Sequence, residues 1–318
     1  PPTRRQAAIA AWRRVGGDLS GLTETGFTFA AMPGDAADMF DVVVIGAGIS
    51  GLVCARELMA GGRQVVLLDK SRGVGGRCAT RRMLGQPVDI GLSYYHADDP
   101  QLLAELAKVP GTALPGWPHR VAGTGPPCHP AVRRPGQRTL AFAEGVQAFP
   151  RHLAQGLDVR PGTRVTRLVP ERGGSTLLLE DGPLLHARDV VLTIPAPQAR
   201  AIVPVSSRAV QGLLEHVVVQ PCITLVLGYA LTSPDPGFDI LYPEHSPIVQ
   251  LISHDSSKRV DPTYRVLVVQ ARGPWSCTHL EATRDEWRTL LVAETARLLG
   301  DWVRAPEWSD LQRWRFAK

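Results

Sequence analysis

No window of the chain approaches ~18 consecutive apolar residues, so a membrane span is not expected. Cysteine is sparse: Cys54, Cys78, Cys128, Cys222 and Cys277 are odd in number, scattered, and form no CxxC pair. That excludes a disulfide framework or a cysteine-based zinc site as the organising element, and predicts a reducing, cytoplasmic setting. Cys128-His129 is the nearest approach to a metal pair, but nothing else supplies ligands at zinc spacing, so no metal is expected. GxSxG, HExxH and P-loop patterns are missing, which leaves serine hydrolase, zinc protease and P-loop kinase readings without support. The amino-terminal stretch also lacks the apolar segment of a secretory signal.

What is present is a chain of 318 residues, 44% of them hydrophobic, enough for one large domain or two interleaved ones. The net charge of +5 is unevenly placed: residues 63–82 hold six bases against one acid, Asp69. Arg120, Arg133, Arg134 and Arg138 add a second basic stretch without an acid. A nucleic-acid surface would interleave such bases with aromatics. Here the densest patch adjoins a glycine-rich turn, which predicts a small phosphorylated ligand instead of nucleic acid. The first 18 residues carry Arg4, Arg5, Arg13 and Arg14 against Asp18 alone, and residues 1–38 read as an extension without catalytic role. A basic, acid-poor start of this kind leaves organellar import open.

Asp41 to Ile45 holds a continuous β-branched run, Val42 to Ile45, the mark of a parallel strand buried on both faces. It enters Gly46-Ala47-Gly48-Ile49-Ser50-Gly51, followed by a helix to Ala60, then by the strand Val65 to Leu68 closed by Asp69. Strand, GxGxxG, helix, strand and acid follow one another within about 30 residues, as in a dinucleotide-binding unit. Gly46 makes the tight turn, Gly48 admits a pyrophosphate, and Gly51 packs helix on sheet. The helix start, with Ser50, offers free N–H groups to the phosphates. Asp69 accepts from a ribose diol and would repel a 2′-phosphate. Lys70-Ser71-Arg72-Gly73-Val74-Gly75-Gly76-Arg77 then fits a loop folded over the pyrophosphate of FAD. In it Gly75 and Gly76 allow close approach, and Arg77 offers a planar donor fork.

These residues resemble the renalase-type branch of the flavin amine oxidases. The GAGISG turn, the Asp69 to Arg77 segment and Asp89-Ile90-Gly91-Leu92-Ser93-Tyr94-Tyr95 carry the resemblance. Leu192 to Gln198, Val268 to Glu281 and Arg313 to Ala317 extend it to the end of the chain. It implies an α/β fold: a Rossmann-type FAD-binding domain (39–98, 144–200 and 303–318) interleaved with a smaller antiparallel-sheet substrate domain (99–143 and 201–302). It also implies that Lys70, Ser93, Tyr94 and the Val165 backbone line the cofactor, and that Tyr94, Tyr95 and His96 line the substrate pocket. Ser93 stands where the family commonly has glutamine, and His96 where it has threonine. The family pattern continues past Arg313 to Ala317 with a GD-containing, flavin-contacting segment, and the sequence in hand stops at Lys318.

The implied activity is FAD-dependent oxidation of a dihydronicotinamide-type dinucleotide, with O2 as acceptor and hydrogen peroxide as product. A hydride donor needs no general base, which suits a chain without an obvious acid–base dyad. Two other readings stand beside it: another flavin amine oxidase or desaturase, and a non-catalytic dinucleotide-binding remnant. Locally, the pattern predicts helices over 101–108 and 279–299, and the resemblance implies a further one over 145–157. Strands are expected over 163–168, 189–193, 222–230 and 264–271, with hairpin turns at Gly173-Gly174 and Asp181-Gly182.

Overall fold

The computed structural model describes residues 39–123 and 138–318. The extension 1–38, Cys128, His129, Arg133 and Arg134 lie outside the described residues. The strand Met39–Ile45 is the axis of the first sheet. It pairs in parallel with Val65–Asp69 on one side and Leu185–Leu192 on the other, with Val43 opposite both Val66 and Val190. Six strands follow in the order 165–171, 174–179, 185–192, 39–45, 65–69, 158–161. Both faces are covered, which is why the β-branched run reads as continuous rather than alternating. One face meets Leu52 and Ala55 of the helix Ile49–Ala60, together with Phe142, Phe149 and Leu153. The other meets Ile202 and Val203.

The second sheet runs 308–314, 222–229, 265–271, 249–254, 240–241, 121–122, and all its pairings but the last are antiparallel. Leu225, Leu227, Leu267 and Val269 bury one face against Trp287, Leu291 and Ala296 of the helix Arg284–Leu299. Val226, Val266 and Val268 bury the other against Val88 and Ile90. Those two belong to the hairpin Thr80–Met83/Gln86–Asp89 and the residue that follows it. The chain from Gln86 to Tyr94 is therefore the seam at which the two sheets meet.

Several expectations are corrected. The final strand, Trp308–Trp314, lies in the second sheet and not in the FAD-binding one: it pairs residue for residue with Cys222–Tyr229, satisfying that strand's outer backbone groups. The helix Arg208–Glu215 starts beyond the expected boundary at residue 200, yet its Val210 and Leu214 pack on the first sheet's cluster. The helix foreseen over 279–299 is a single helix that starts later, at Arg284–Leu299, where Thr283 Oγ1 caps it by accepting from Glu286 N at 3.2 Å. The helix foreseen over 145–157 is limited to Ala148–Leu153. The two hairpin turns fall where expected, between 171 and 174 and between 179 and 185.

Candidate cofactor and substrate site

The glycine turn is built by backbone geometry that side chains would block. Gly46 adopts φ +111°, and a Cβ there would stand 2.8 Å from Thr193 Oγ1. Thr193 Oγ1 donates toward the Ile45 and Gly46 carbonyls at 3.0 and 2.9 Å, so this threonine of the Leu192 to Gln198 motif pins the turn. A Cβ on Gly51 would lie 1.9 Å from the Gly46 carbonyl oxygen, which fixes its role in packing helix on strand. Gly48 differs: a Cβ there would meet nothing within 4 Å, so the space before it is open. Gly48 also caps the helix Ile49–Ala60 with no side-chain bond to the first-turn amides, so Ser50 and its neighbours leave donors at a positive helix end.

The following loop folds back over this turn as its composition predicts. Gly75 donates its N–H to the Ala47 carbonyl at 2.8 Å, and Gly48 and Gly75 form an isolated parallel bridge. Gly76 stacks beside Gly48, and Gln147 Nε2 holds the Val74 carbonyl at 2.7 Å. Asp69 organises both turns: Oδ2 accepts from Ala47 N and Oδ1 from Ser71 N, each at 2.7 Å. Each oxygen keeps a lone pair for a ribose hydroxyl. Thr163 N donates to the Asp69 carbonyl at 2.8 Å, which brings Val165 to the same rim. Partial burial, with Arg164 nearby, pushes the Lys70 ammonium below its usual range, and Asp69 opposes that shift. Arg77 is exposed and donates from Nη1 to the Ala317 carbonyl at 2.9 Å, leaving other guanidinium donors available.

The segment from Asp89 to His96 divides its side chains by the strand pleat. Tyr94 faces the second sheet, where its hydroxyl lies 2.9 Å from that of Tyr242 and its ring meets Trp117 edge-on, 5.7 Å between centroids. His96 follows on the same side, 6.0 Å from Tyr94. Tyr95 points the opposite way, into the core of the first sheet. There it donates to the Val146 carbonyl at 2.7 Å and packs against Phe142 and Phe149. Burial, with Cys78 beside it, raises the Tyr95 hydroxyl far above its ordinary value. The expectation that Tyr95 lines a pocket is corrected: alternation places it in the core.

Two buried polar atoms of this segment, Ser93 Oγ and His96 Nδ1, have no protein partner. Orphaned buried donors and acceptors are costly and call for a ligand or water. With the open approach at Gly48, they make the described residues a fit for a flavin dinucleotide. Sequence reasoning missed Trp117, Tyr242 and Lys258. Lys258 lies within Asp255 to Arg259, an acid-to-base spacing that carried a signal; the two aromatics offered none without the fold.

Comparison with known proteins agrees with this geometry. Residues 44–109 match the model of an NAD(P)-binding Rossmann-like domain, and residues 126–317 match that of the flavin containing amine oxidoreductases. The chain is 40% identical over 74 residues to (S)-6-hydroxynicotine oxidase of Paenarthrobacter nicotinovorans, covering 22% of this chain and 17% of that protein. It is 44% identical over 64 residues to putrescine oxidase of Kocuria rosea, covering 20% of this chain and 13% of that protein. The matched part is thus under a fifth of each relative's length. Among solved structures, putrescine oxidase bound to putrescine superposes with a TM-score of 0.64 at 16% identity, covering 86% of this chain and 84% of that one. Cyclohexylamine oxidase from Brevibacterium oxydans does so with a TM-score of 0.64 at 14% identity, covering 87% and 85%. No helix among the described residues is long and apolar enough to cross a membrane. A Rossmann-type FAD-binding sheet, a loop closed over its glycine turn, and a family match across most of the remaining chain lead to one conclusion: the chain belongs to the flavin-containing amine oxidoreductase family.

Proposed function

We propose that the chain is an FAD-dependent oxidase that removes a hydride from a carbon beside nitrogen in a small substrate, and that a dihydronicotinamide is the donor it prefers. Bound FAD supplies the two-electron acceptor, and O2 then takes the two electrons with two protons to leave hydrogen peroxide. The chain's own residues bind and orient. Asp69 accepts from the ribose hydroxyls, the amides of the Gly48–Gly51 helix start and the Arg77 fork receive the pyrophosphate, and Lys70 and the Val165 backbone border the adenosine half.

The observation that carries this reading is the Ser93–His96 segment. It sits at the seam of the two sheets, beside an aromatic wall of Tyr94, Trp117 and Tyr242, with Ser93 Oγ and His96 Nδ1 buried and unpartnered. All three rings are buried in one apolar cluster, which keeps water from this side of the segment. Hydride donation from a dihydropyridine ring asks nothing of a general base, and this wall is built of aromatics rather than of an acid–base pair. Of the basic stretch, Arg120 is already paired with Asp235 and Asp239, and Arg138 is the base suited to the phosphates of a dinucleotide donor. The test is turnover in air with equimolar accounting of donor consumed and hydrogen peroxide formed. Peroxide formed at one per dihydronicotinamide consumed supports the proposal. Peroxide formed only from primary or secondary amines moves the substrate to the amine class.

A further inference from the structure

Beneath the Ser93–His96 segment lies a group of four charges that the proposed chemistry does not use. Lys258 Nζ stands 2.6 Å from Asp89 Oδ2, 2.7 Å from Asp255 Oδ1 and 3.0 Å from the Ser93 carbonyl oxygen, with its side chain fully buried. An ammonium has three N–H donors, and all three are spent. Arg259 completes the ring: Nη2 lies 3.1 Å from Asp89 Oδ2 and 2.6 Å from Asp255 Oδ2, while Nη1 donates to the Phe142 and Ala143 carbonyls at 3.2 and 2.8 Å. Asp89 Oδ1 accepts from Thr80 Oγ1 at 2.6 Å and from Val146 N at 2.9 Å. Two cations and two carboxylates balance.

The two cations reach different places. Arg259 ties the carboxylates to the main chain at 142–143, on the side of the first sheet. Lys258 ties the same carboxylates to the carbonyl of Ser93, whose own hydroxyl is unpartnered, and stands 4.8 Å from the centroid of the Trp117 ring. Trp117 is held in turn by its Nε1 donating to Ser257 Oγ at 3.1 Å, and it abuts Tyr94. One ammonium thus fixes both the backbone of the seam segment and the aromatic wall facing it. An ion network built only for stability has no need to spend a charged donor on this one carbonyl, since apolar residues of like volume serve stability as well.

We propose that Lys258 is a positioning residue: through the Ser93 carbonyl and Trp117 it sets the height of the Ile90–Tyr94 segment and of the aromatic wall around the flavin and donor. The flavin-facing consequence rests on the function proposed above; the ordering of the segment does not. Arg259→Met is the matched control, since it removes the same charge from the same ring without touching Ser93 or Trp117. Lys258→Met combined with Asp255→Asn keeps the ring neutral and guards against loss of folding.

The experiment is hydrogen–deuterium exchange on the flavin-free chain, followed by FAD titration of the same variants. Lys258→Met, alone and in the neutral double variant, is expected to raise exchange at residues 90–96 by roughly tenfold, as local opening of a released segment requires. Arg259→Met is expected to raise exchange at 138–146 while sparing 90–96. FAD affinity is then expected to fall more for the lysine variants than for Arg259→Met. Unchanged exchange at 90–96 in the neutral double variant, or an equal rise in Arg259→Met, overturns the proposal. A wild-type chain that takes up no FAD would instead contradict the function reading, and the exchange comparison would still decide the role of Lys258.

Discussion

The Ala47 amide donates to Asp69 Oδ2 at 2.7 Å, joining the glycine turn after the first strand to the end of the second. This bond puts the acid at the mouth of the turn before any ligand arrives, so its position is pre-set by the fold rather than by the nucleotide. Asp69 holds two backbone turns, and in the proposed site the same carboxylate would accept from a ribose diol. Asp69→Ala removes both. Loss of a charge-assisted hydrogen bond costs ~1.5–3 kcal/mol, so FAD affinity should fall by about tenfold or more. Equilibrium dialysis checks this, and unchanged flavin retention would remove Asp69 from the site.

Arg77→Lys is expected to weaken FAD binding and not to preserve it. The ammonium cannot reproduce a planar fork that donates to the Ala317 carbonyl while offering further N–H groups to phosphate. Isothermal titration with FAD is the check; identical affinities for the two proteins would exclude a pyrophosphate role.

The adjacent tyrosines should behave oppositely. Tyr95→Phe deletes a core hydrogen bond to the Val146 carbonyl and should cost about 1 kcal/mol of stability while leaving flavin reduction as it was. Tyr94→Phe breaks the hydroxyl contact with Tyr242 at the seam and should alter the rate of reduction or the donor KM several-fold. Urea unfolding and single-turnover kinetics on both variants separate the two, and a matching kinetic change in Tyr95→Phe would contradict the division made by the pleat.

Much of this was legible in the sequence because it depends on local geometry. A strand buried on both faces, three glycines with distinct steric tasks and an acid at the end of the second strand leave a linear record over 41–69. The loop to Arg77 follows from its glycine pair. What was not legible depends on contacts far apart in the chain. Trp308–Trp314 joins Cys222–Tyr229 across some 80 residues, and nothing in its alternation names its partner sheet. Tyr94 and Tyr95 are indistinguishable as residues; only the strand phase, fixed by pairing of Tyr95 with Leu140, sends one to the seam and the other to the core. The buried ring needs Asp89 and Lys258, which stand 169 residues apart in the chain.

That ring predicts a pH dependence. Burial alone would raise the Asp89 carboxyl, but Lys258 and Arg259 outweigh it and hold the group below its ordinary value. Protonation is then harder in the folded chain than in the unfolded one. The stability contributed is present above the ordinary carboxylate value, about 3.9, and is lost as pH falls below it through the folded value. Asp89→Asn should lose ~3–5 kcal/mol near neutral pH, because a buried cation is left short of a partner. It should also show a shallower acid limb below about pH 4. Urea midpoints across that range test it, and parallel curves for the two proteins would contradict it.

The most direct test of the central claim is anaerobic stopped-flow reduction of the FAD-loaded chain by a panel of donors. The 2- and 6-dihydro isomers of the nicotinamide dinucleotides are expected to bleach the visible flavin band faster than ordinary NADH or simple amines, and admitting O2 is expected to restore the band with release of hydrogen peroxide. Equal or faster bleaching by a primary amine would contradict the dihydronicotinamide preference, and a flavin band that no donor bleaches would contradict the oxidase reading itself.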